Sequence, residues 1–356
     1  KAALHDLEMF HQEIVKTLFN GAHGPAAKRV KNLCAQCDTF LANNRSPHRA
    51  FVYDQVVSFG ELLSTSIICA YLNHVGIAAE WVDARSCIKT DNFYRSAHLN
   101  WEQTQSAIQD QIQGNVLKVT QGFIASDMNN FTTTLGREGS DYTAAIFAYC
   151  LGATDVTIWK DVQGVLNADP RVFDKTQLLE HISYQEAIEL AFYGASVIHP
   201  KTLQPLQRKE IPLYVKSFLN PKQKGTKVGK GVPMQPEIPC YIVKKGLSLL
   251  RLSTRDFSFV VEDNISDIFK LLHEHKMSVD VIQNSAISFS VCVEDTYHKM
   301  DALLLALRSR FDVKHTPDVS LYTIRHFEEN SANTLLSTHD LVLEQRTATT
   351  LQLVLK

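Results

Sequence analysis

The sequence has almost no charge imbalance, no long apolar run and no even set of cysteines. Lys and Arg total 36 against 38 for Asp and Glu, so the formal net charge is −2. That balance favours neither a nucleic-acid partner nor a membrane surface. We find no apolar run near the roughly 18 residues that a membrane span needs. Residues 1–20 have the spacing of an amphipathic helix rather than the pattern of a signal peptide.

Cysteine usage points to the compartment. The seven cysteines are an odd number, and Cys69, Cys150 and Cys292 stand in apolar context. Such usage is typical of a reducing compartment without disulfides, so we expect a cytoplasmic protein. The segment Cys34-Ala35-Gln36-Cys37 has redox or metal spacing. We assign it no function, because it lies in an amphipathic helix and no second pair accompanies it.

Periodicity in the first part of the chain predicts an α/β fold. The 356 residues, 45% hydrophobic and 21% charged, suit a globular protein of two domains. Up to about residue 230, apolar strands alternate with helices, which favours a mostly parallel sheet sandwiched by helices. The predicted strands are 78–82, 115–125, 156–159 and 213–215. The predicted helices are 1–20, 25–43, 58–75, 99–114, 140–151, 186–193 and 200–208.

From Cys240 onward the pattern changes. Strands and helices follow in the order βαββαβ, which is typical of a ferredoxin-like module. Prolines and glycines just before it predict a linker at 231–239. The predicted domains are therefore 1–230 and 240–356, joined by this linker.

A second, nested module is also predicted near the end of the chain. It would use strands near 319–325 and 350–355, although no helix is obvious within 326–349.

The segment from Thr120 to Ala145 is the most informative part of the chain. It runs from a strand end into a loop rich in Gly, Thr and Ser, which closes on Gly139-Ser140-Asp141 before an amphipathic helix. The first N–H groups of a helix lack partners and the dipole is positive there, so such a loop predicts an anion site. Arg137 adds a guanidinium suited to a carboxylate or a phosphate.

Spaced motifs in this order resemble the aspartokinases of the amino-acid kinase family. The signature TTTLGREGSD at 132–141 is accompanied by four further segments. The resemblance as a whole runs from about residue 50 to 295 and continues more weakly to the end of the chain. The four segments are Ser58-Phe59-Gly60-Glu61-Leu62-Leu63-Ser64, Gln121-Gly122-Phe123-Ile124, the stretch from Trp159 to Val165 followed by Asp169-Pro170-Arg171, and the stretch from Tyr193 to Pro200.

The resemblance implies phosphoryl transfer from ATP to the side-chain carboxylate of L-aspartate, giving 4-phospho-L-aspartate. The acceptor is already ionised at neutral pH, since a free aspartate side chain has a pKa of about 3.9. Catalysis then depends on alignment and on neutralising charge, without a general base. Mg²⁺ is expected to be carried by the nucleotide, with no metal site on the protein.

The resemblance also implies the residues around aspartate. Arg137 would grip a carboxylate, Glu61 would bind the ammonium group from the first turn of its helix, and Phe123 would wall the pocket. Ser140 would contact the substrate or the γ-phosphate, and Asp141 would lie near the phosphates and help organise the metal and the leaving group. Thr134 is the expected contact among three threonines. Read from the residues alone, the threonines equally suit a strand, Phe123 equally suits a core, and Glu61 and Asp141 equally suit a helix start.

On the nucleotide side, the resemblance implies contacts from the loop that follows the strand ending at Trp159. The residues concerned are Lys160, Asp161, Gly164, Arg171, Ser196 and Val197. Two departures from the family pattern occur here, because a lysine is frequent at the position of Ser196 and a tyrosine at that of Leu166. His199 is expected to be structural.

A further departure is the K-F-G-G-T-S motif with which aspartokinases open. Nothing like it occurs in residues 1–50, so we expect the sequence to start inside the natural chain. Two alternatives to a free-standing kinase stay open: a non-catalytic amino-acid-sensing subunit, and the kinase half of a bifunctional kinase–dehydrogenase, which would need further residues after Lys356.

The C-terminal module resembles the ACT domain, the amino-acid sensor of aspartokinases. Feedback inhibition by lysine or threonine is implied, with neither favoured, and pairing of ACT regions implies a homodimer or a higher homo-oligomer. The implied effector-binding residues are Asn264, Met277, Ser278, Val279 and Asp280. The same residues also suit an ordinary sheet edge.

Overall fold

The computed structural model describes residues 2–21, 24–195, 197–231, 233–256 and 258–356. The helices are α1 (Ala2–Leu18), α2 (Pro25–Asn43), α3 (Arg49–His74), α4 (Ala84–Cys87), α5 (Trp101–Gln111), α6 (Gly139–Leu151), α7 (Tyr184–Tyr193), α8 (Pro200–Lys209), α9 (Glu262–Glu274), α10 (Met300–Arg308) and α11 (Asn333–Thr338). The strands are β1 (Ala79–Trp81), β2 (Leu117–Val119), β3 (Ile124–Ser126), β4 (Thr132–Thr134), β5 (Val156–Lys160), β6 (His181–Ser183), β7 (Leu213–Ser217), β8 (Thr226–Gly229), β9 (Cys240–Ser253), β10 (Ser278–Asn284), β11 (Ser288–Glu294), β12 (Asp312–Arg325), β13 (Leu341–Arg346) and β14 (Thr350–Leu355).

The chain folds as two compact units. The first comprises Lys1–Trp159, Ile198–Val215 and Lys227–Lys230, and the second Lys160–Val197, Lys216–Thr226 and Gly231–Lys356. The chain crosses from one unit to the other within β5, β7 and β8, which form a four-stranded sheet with β6 in the order β5-β7-β8-β6. The units therefore do not follow the linear boundary predicted at 231–239, which stays a prediction.

Two buried clusters form the core of the first unit. One joins α1, α2 and α3 to β3 through residues such as Val30, Leu63 and Ile124. The other gathers Ile108, Leu135 and Ile146 from α5, the end of β4 and α6. β1 and β2 pair in parallel, and β3 pairs with β4 in antiparallel fashion. The helices thus cover short strands whose ends carry the signature segment.

Two predictions for this unit were wrong in detail. α3 begins at Arg49 rather than near Ser58, because Phe51, Val52 and Val56 continue its apolar face toward the N-terminus. The strand expected at 115–125 is two strands, β2 and β3, separated by a turn at 120–123.

α3 also qualifies the expectation about apolar runs. Among the described residues it is the helix long and apolar enough, by length and composition alone, to cross a membrane. In the structure it packs against α2, β1 and β4 and buries the carboxylate of Asp54. Leu62, Leu63 and Ile67 of this helix belong to the core of the first unit.

The second unit confirms the predicted βαββαβ order. β9, α9, β10, β11, α10 and β12 follow one another, and the antiparallel sheet has the order β10-β11-β9-β12-β14-β13. The strands predicted at 240–243 and 247–252 are one strand. β9 continues as one long strand past Gly246, where the β9–β12 register shifts and the glycine's φ of 72° allows a bulge. Near the C-terminus, the hairpin β13–β14 extends the sheet and α11 supplies a short helix that the sequence did not reveal.

A buried ion pair ties α7 to the C-terminal sheet within the second unit. The Glu186 carboxylate accepts from Arg325 Nε at 3.1 Å and from Nη2 at 2.7 Å, and both side chains are at most 10% exposed. Arg325 Nη1 also donates to Thr350 Oγ1 at 2.7 Å. Burial raises the pKa of Glu186, but hydrogen bonds from Arg325 and His326 outweigh it and hold this pKa below its usual value.

Glu186→Gln should destabilise the second unit by about 3–5 kcal/mol at neutral pH, because it leaves a buried guanidinium uncompensated. The folded-state pKa of Glu186 is depressed, so the pair contributes stability above the unfolded pKa of about 4.3 and loses it as pH falls through the folded pKa. Urea unfolding from pH 7 to pH 3 should show the parent and the variant converging in the acid range.

Glu189→Gln is the matched control. Glu189 lies on α7 like Glu186, and its carboxylate is 3.7 Å from Arg325 but 36% exposed. We expect it to change the free energy of unfolding by less than about 1 kcal/mol. Equal losses for the two variants would contradict the role given to Glu186.

Candidate functional site

The Thr-rich part of the signature segment is a buried strand that leads to a helix start. All three residues of β4 are buried, and Thr134 pairs with Ile124 of β3. After Leu135 the chain turns, and α6 begins at Gly139 with Asp141 in its first turn. The N-terminus of α6, with its positive dipole end, therefore lies where the sequence predicted an anion site.

The turn before β3 and the start of α6 pack so closely that neither glycine at their contact has room for a Cβ. A Cβ at Gly122 would lie 2.7 Å from Ser140 Cβ, and one at Gly139 would lie 2.7 Å from Phe123 Cδ2. The Phe123 N–H donates to Thr143 Oγ1 at 3.0 Å, and this hydroxyl donates to the Gly139 carbonyl at 2.9 Å. Both glycines are thus required by packing, and they join the turn to the helix end.

Backbone strain marks the same place. Phe123 has a φ of 70° and Glu138, the residue before α6, a φ of 55°. Left-handed conformations are unfavourable for residues with a Cβ and above all for bulky ones. Such outliers persist where the surroundings over-determine them, and they cluster at functional sites. The strain supports a functional reading of this loop.

Asp54 of α3 fixes Thr134, the last residue of β4, just before the loop that leads to α6. Its buried carboxylate accepts from the N–H of Thr134, from Thr134 Oγ1 and from the N–H of Arg95, each at 2.9 Å. Burial raises the pKa of Asp54, and these hydrogen bonds lower it only in part. Because Thr134 is fully buried and its hydroxyl donates to Asp54, the geometry gives it a positioning role. Its direct contact with a substrate stays a prediction.

Glu61 lies on the same face of α3 as Asp54. Asp54, Ser58 and Glu61 have i, i+4 and i+7 spacing, which aligns them along one side of a helix. Glu61 is therefore in the middle of α3, and the prediction of a first-turn position was wrong. The sequence reasoning missed Asp54 for the same cause, since a helix started at Ser58 leaves it outside the polar stripe.

The Glu61 carboxylate is in an unusual state for a helix surface. Glu61 is half-buried, and burial raises its pKa. Among the residues that the structure describes, no side chain pairs with this carboxylate. A buried carboxylate of this kind is stabilised by a cation. Phe123 packs against the adjacent cluster that includes Leu62 and Leu63, so it serves the core while staying partly exposed.

Arg137 and Ser140 are exposed on the turn. Across the described part of the chain, the Arg137 guanidinium has no ion-pair partner. Its charge reaches the start of α8. There, burial first, and then the positive charges of Lys201 and Arg137, lower the pKa of His199, while Glu138 opposes them. His199 Nδ1 accepts from the N–H of Lys201 at 3.1 Å and so caps α8, as expected for a structural histidine.

The predicted nucleotide residues lie in the second unit. Lys160 ends β5 and is half-buried, while Asp161 is exposed on the following loop. Gly164 is buried, and a Cβ there would lie 2.5 Å from Thr226 Oγ1, which accepts from the N–H of Val165 at 2.8 Å. The absence of a side chain at Gly164 thus has a packing reason of its own.

Arg171 forms part of a compact turn. Its guanidinium donates from Nε to Asp169 Oδ1 at 3.0 Å and from Nη2 to Asp169 Oδ2 at 2.7 Å, and its side chain is 85% exposed. The hydrogen bonds from Arg171 hold the pKa of Asp169 below its usual value. Val197 is half-buried, and Ser196 lies outside the described residues. The nucleotide contacts of this set stay predictions.

The predicted effector residues surround an internal ion pair. Asp280 lies at a β-bulge in β10, and its carboxylate, 7% exposed, contacts Lys244 Nζ of β9 at 2.5 Å. Its Oδ2 is buried and has no hydrogen-bond partner among the described residues. The stem of Lys244 also packs on the end of α7, because its Cε would lie 3.1 Å from a Cβ at Gly194.

The other effector residues divide between core and surface. Ser278 is exposed, Val279 is half-buried and Met277 is buried in the core of the module. Asn264 Oδ1 accepts from the N–H of Val261 at 3.0 Å and so caps α9.

The Cys-X-X-Cys segment is part of the core. Cys34 and Cys37 are buried in α2, and burial raises the pKa of Cys34 to about 11. Thiols of this kind remain protonated and unreactive at neutral pH.

Comparisons with known proteins agree with this geometry. The sequence pattern of the amino acid kinase family matches residues 11–217. The chain is 35% identical over 246 residues to the lysine-sensitive aspartokinase 3 of Escherichia coli (strain K12), which covers 68% of this chain and 55% of that protein. It thus spans little more than half of that relative.

Solved structures show the same fold. The complex of E. coli aspartokinase III with lysine and aspartate has a TM-score of 0.74 and 27% identity, covering 92% of this chain and 77% of that one. The complex of E. coli aspartokinase III with aspartate and ADP has a TM-score of 0.73 and 27% identity over the same shares, 92% and 77%. The predicted fold, an α/β kinase domain followed by a ferredoxin-like region, is confirmed.

Gly122→Ala should destabilise the first unit by about 1–3 kcal/mol, because the new methyl group overlaps Ser140 and forces the helix start away. Gly60→Ala is the matched control, since Gly60 lies within α3 and nothing stands within 4 Å of its Cβ position. We expect the control to be neutral or stabilising by up to about 1 kcal/mol, because alanine favours helix. Urea unfolding of both variants measures this, and a neutral Gly122→Ala would contradict the close approach.

Proposed function

Because this chain belongs to the amino acid kinase family, we propose that it phosphorylates the side-chain carboxylate of L-aspartate with ATP. The product is 4-phospho-L-aspartate. The observation that carries the proposal is a pair of charged groups in the first unit for which the described residues supply no ion-pair partner: the exposed Arg137 guanidinium beside a helix N-terminus, and the half-buried Glu61 carboxylate on α3. An amino acid with two carboxylates and an ammonium group is complementary to both.

Arg137 binds a carboxylate of aspartate in this proposal. A guanidinium offers two parallel N–H donors that match a carboxylate, and such charge-assisted bonds are about twice as strong as neutral ones. The N-terminus of α6 adds backbone donors and a positive dipole end, and Ser140 adds its exposed hydroxyl. The anchoring of the turn by Asp54 and by the two glycines keeps these donors in place, so little ordering is needed when the substrate arrives.

Glu61 binds the ammonium group. Its raised pKa reflects burial without a cation, and an ammonium partner would favour the ionised form again. Because Glu61 is carried on a rigid helix whose Asp54 is bonded to Thr134, the two ends of the substrate are held by elements that are tied to each other. Phe123 contributes an apolar wall from the turn before β3.

The aspartate side chain needs no base, because it is ionised at neutral pH. The chain's contribution is to hold the carboxylate and to neutralise negative charge as the phosphoryl group moves. Asp141 in the first turn of α6 is proposed to organise the leaving group. Lys160, Asp161, Gly164, Arg171, Ser196 and Val197 are proposed to bind ATP. Mg²⁺ would come with the nucleotide phosphates.

Regulation by an amino acid is proposed for the ferredoxin-like region. Its similarity to a lysine-sensitive relative favours lysine over threonine as the effector. Ser278 and Asp280, together with Asn264, Met277 and Val279, would form the effector site. Association through this region into a homodimer or a higher oligomer and a cytoplasmic location are part of the same proposal.

Arg137→Ala should raise the KM for aspartate by roughly 10- to 100-fold, the equivalent of losing a charge-assisted pair of about 1.5–3 kcal/mol. Arg137→Lys should have an aspartate KM between those of Arg137→Ala and the parent, because a single ammonium cannot replace the bidentate contact of the guanidinium. The KM for ATP should change little. A hydroxamate assay with varied aspartate measures these values, and an unchanged aspartate KM would remove Arg137 from the site.

Asp280→Ala and Lys244→Met should shift amino-acid inhibition in opposite directions. Removing Asp280 deletes the carboxylate that receives the effector cation, so inhibition by lysine should weaken. Removing Lys244 deletes an internal ammonium that occupies this carboxylate, so the effector no longer competes with it and inhibition should strengthen. Inhibition curves for lysine and threonine test both, and weaker inhibition of Lys244→Met would contradict the competition.

A further inference from the structure

The signature loop, residues 136–141, carries Arg137, Ser140 and Asp141 between two buried residues. Leu135 precedes it and is fully buried, and Tyr142 follows it in α6 and is 7% exposed. Because the loop itself is partly exposed, its position depends on how these two ends are held.

One side chain contacts both ends. Lys201 Nζ donates to the Leu135 carbonyl at 3.0 Å and lies 4.7 Å from the centroid of the Tyr142 ring. A cation over an aromatic face contributes about 0.5–2 kcal/mol, and more when it is desolvated. Lys201 thus spans the loop from its first anchor to its last.

The placement of Lys201 is electrostatically unfavourable for its own helix. His199 caps α8 and Pro200 opens it, so Lys201 lies in the first turn, where the helix dipole disfavours a cation. Burial adds to this cost and lowers the pKa of Lys201. A cation held at such a site is retained by its contacts, and here these contacts are the two ends of the signature loop.

We propose that Lys201 is a positioning residue for aspartate binding, which clamps the Leu135 carbonyl and the Tyr142 ring and so sets the place of Arg137 and Ser140. The inference rests on the proposed function. Lys201 does not touch the substrate, and it acts through the geometry of the loop. Sequence reasoning did not single it out, because a lysine after His-Pro reads as an ordinary exposed helix residue.

The competing explanation is that Lys201 only fastens α8 to α6. The chain contains a control for it. Lys209, at the other end of α8, donates to the Tyr149 carbonyl at 2.6 Å and lies 4.3 Å from the centroid of the Tyr149 ring. Lys209 thus joins α8 to α6 by the same two kinds of contact, a hydrogen bond to a carbonyl and a cation over an aromatic ring. Tyr149, however, lies near the C-terminal end of α6, away from the loop.

The test compares Lys201→Met with Lys209→Met in the same chain. Lys201→Met should raise the aspartate KM by roughly 10- to 100-fold, because small misplacements of binding groups carry costs of this size, while the ATP KM stays within about twofold. Lys201→Arg, which keeps a donor and a cation over the ring, should recover much of the loss. Lys209→Met should leave both constants near the parent values.

Hydrogen exchange separates this inference from the proposed function. Lys201→Met should speed amide exchange in residues 136–141, and Lys209→Met should not, whatever the enzyme's activity. Faster exchange in the loop of Lys201→Met without aspartate-dependent ATP turnover in the parent would uphold the clamp and overturn the proposed function. Unchanged exchange in the loop, or equal effects of the two variants on the aspartate KM, would overturn the clamp.

Discussion

The contact between the turn at Gly122 and the start of α6 is the constraint on which the candidate site depends. The turn and the helix start, which belong to one segment of the chain, meet at a distance that excludes even one methyl group at Gly122 or Gly139. Phe123 and Glu138 adopt left-handed conformations on either side of this contact. Tight packing of this kind cannot deform continuously, so the donors at the helix end have one position. Pre-set donors of that kind are what electrostatic catalysis requires.

Charged groups in the first unit divide into satisfied and unsatisfied ones. Asp54 is buried and accepts three hydrogen bonds from backbone and hydroxyl donors, and it serves the architecture. Glu61, two turns farther along the same face of α3, is half-buried, and its carboxylate has no ion-pair partner among the described residues. Arg137 is exposed, and its guanidinium likewise has no ion-pair partner in the described part of the chain. The contrast between the two carboxylates of α3 is a stronger functional argument than either residue alone. Asp54 already has its hydrogen-bond partners, whereas Glu61, like Arg137, would gain an ion-pair partner from a ligand.

The second unit repeats this division. Glu186 and Arg325 satisfy each other in the interior and join α7 to the sheet. Asp280 is paired with Lys244 by one oxygen only. Lys244 also packs against Gly194 at the end of α7. The side chain of Lys244 therefore contacts both Asp280, the predicted effector carboxylate, and Gly194. A ligand that competes for Asp280 would act on a residue that already contacts both.

The sequence by itself determined the family, the order of the longer elements and most of the candidate residues. Gly-rich loops, helix starts and apolar periodicity are local signals, and the βαββαβ pattern after Cys240 needed no tertiary information. The start of α3, the split between β2 and β3, and the strand β13 were missed, because their ends are decided by packing and by pairing register. Tertiary structure alone decided that Asp54 holds Thr134, that Lys201 spans the signature loop and that Lys244 occupies Asp280. Each of these contacts joins residues distant in the chain, and a linear pattern carries no record of which polar side chains share a buried space.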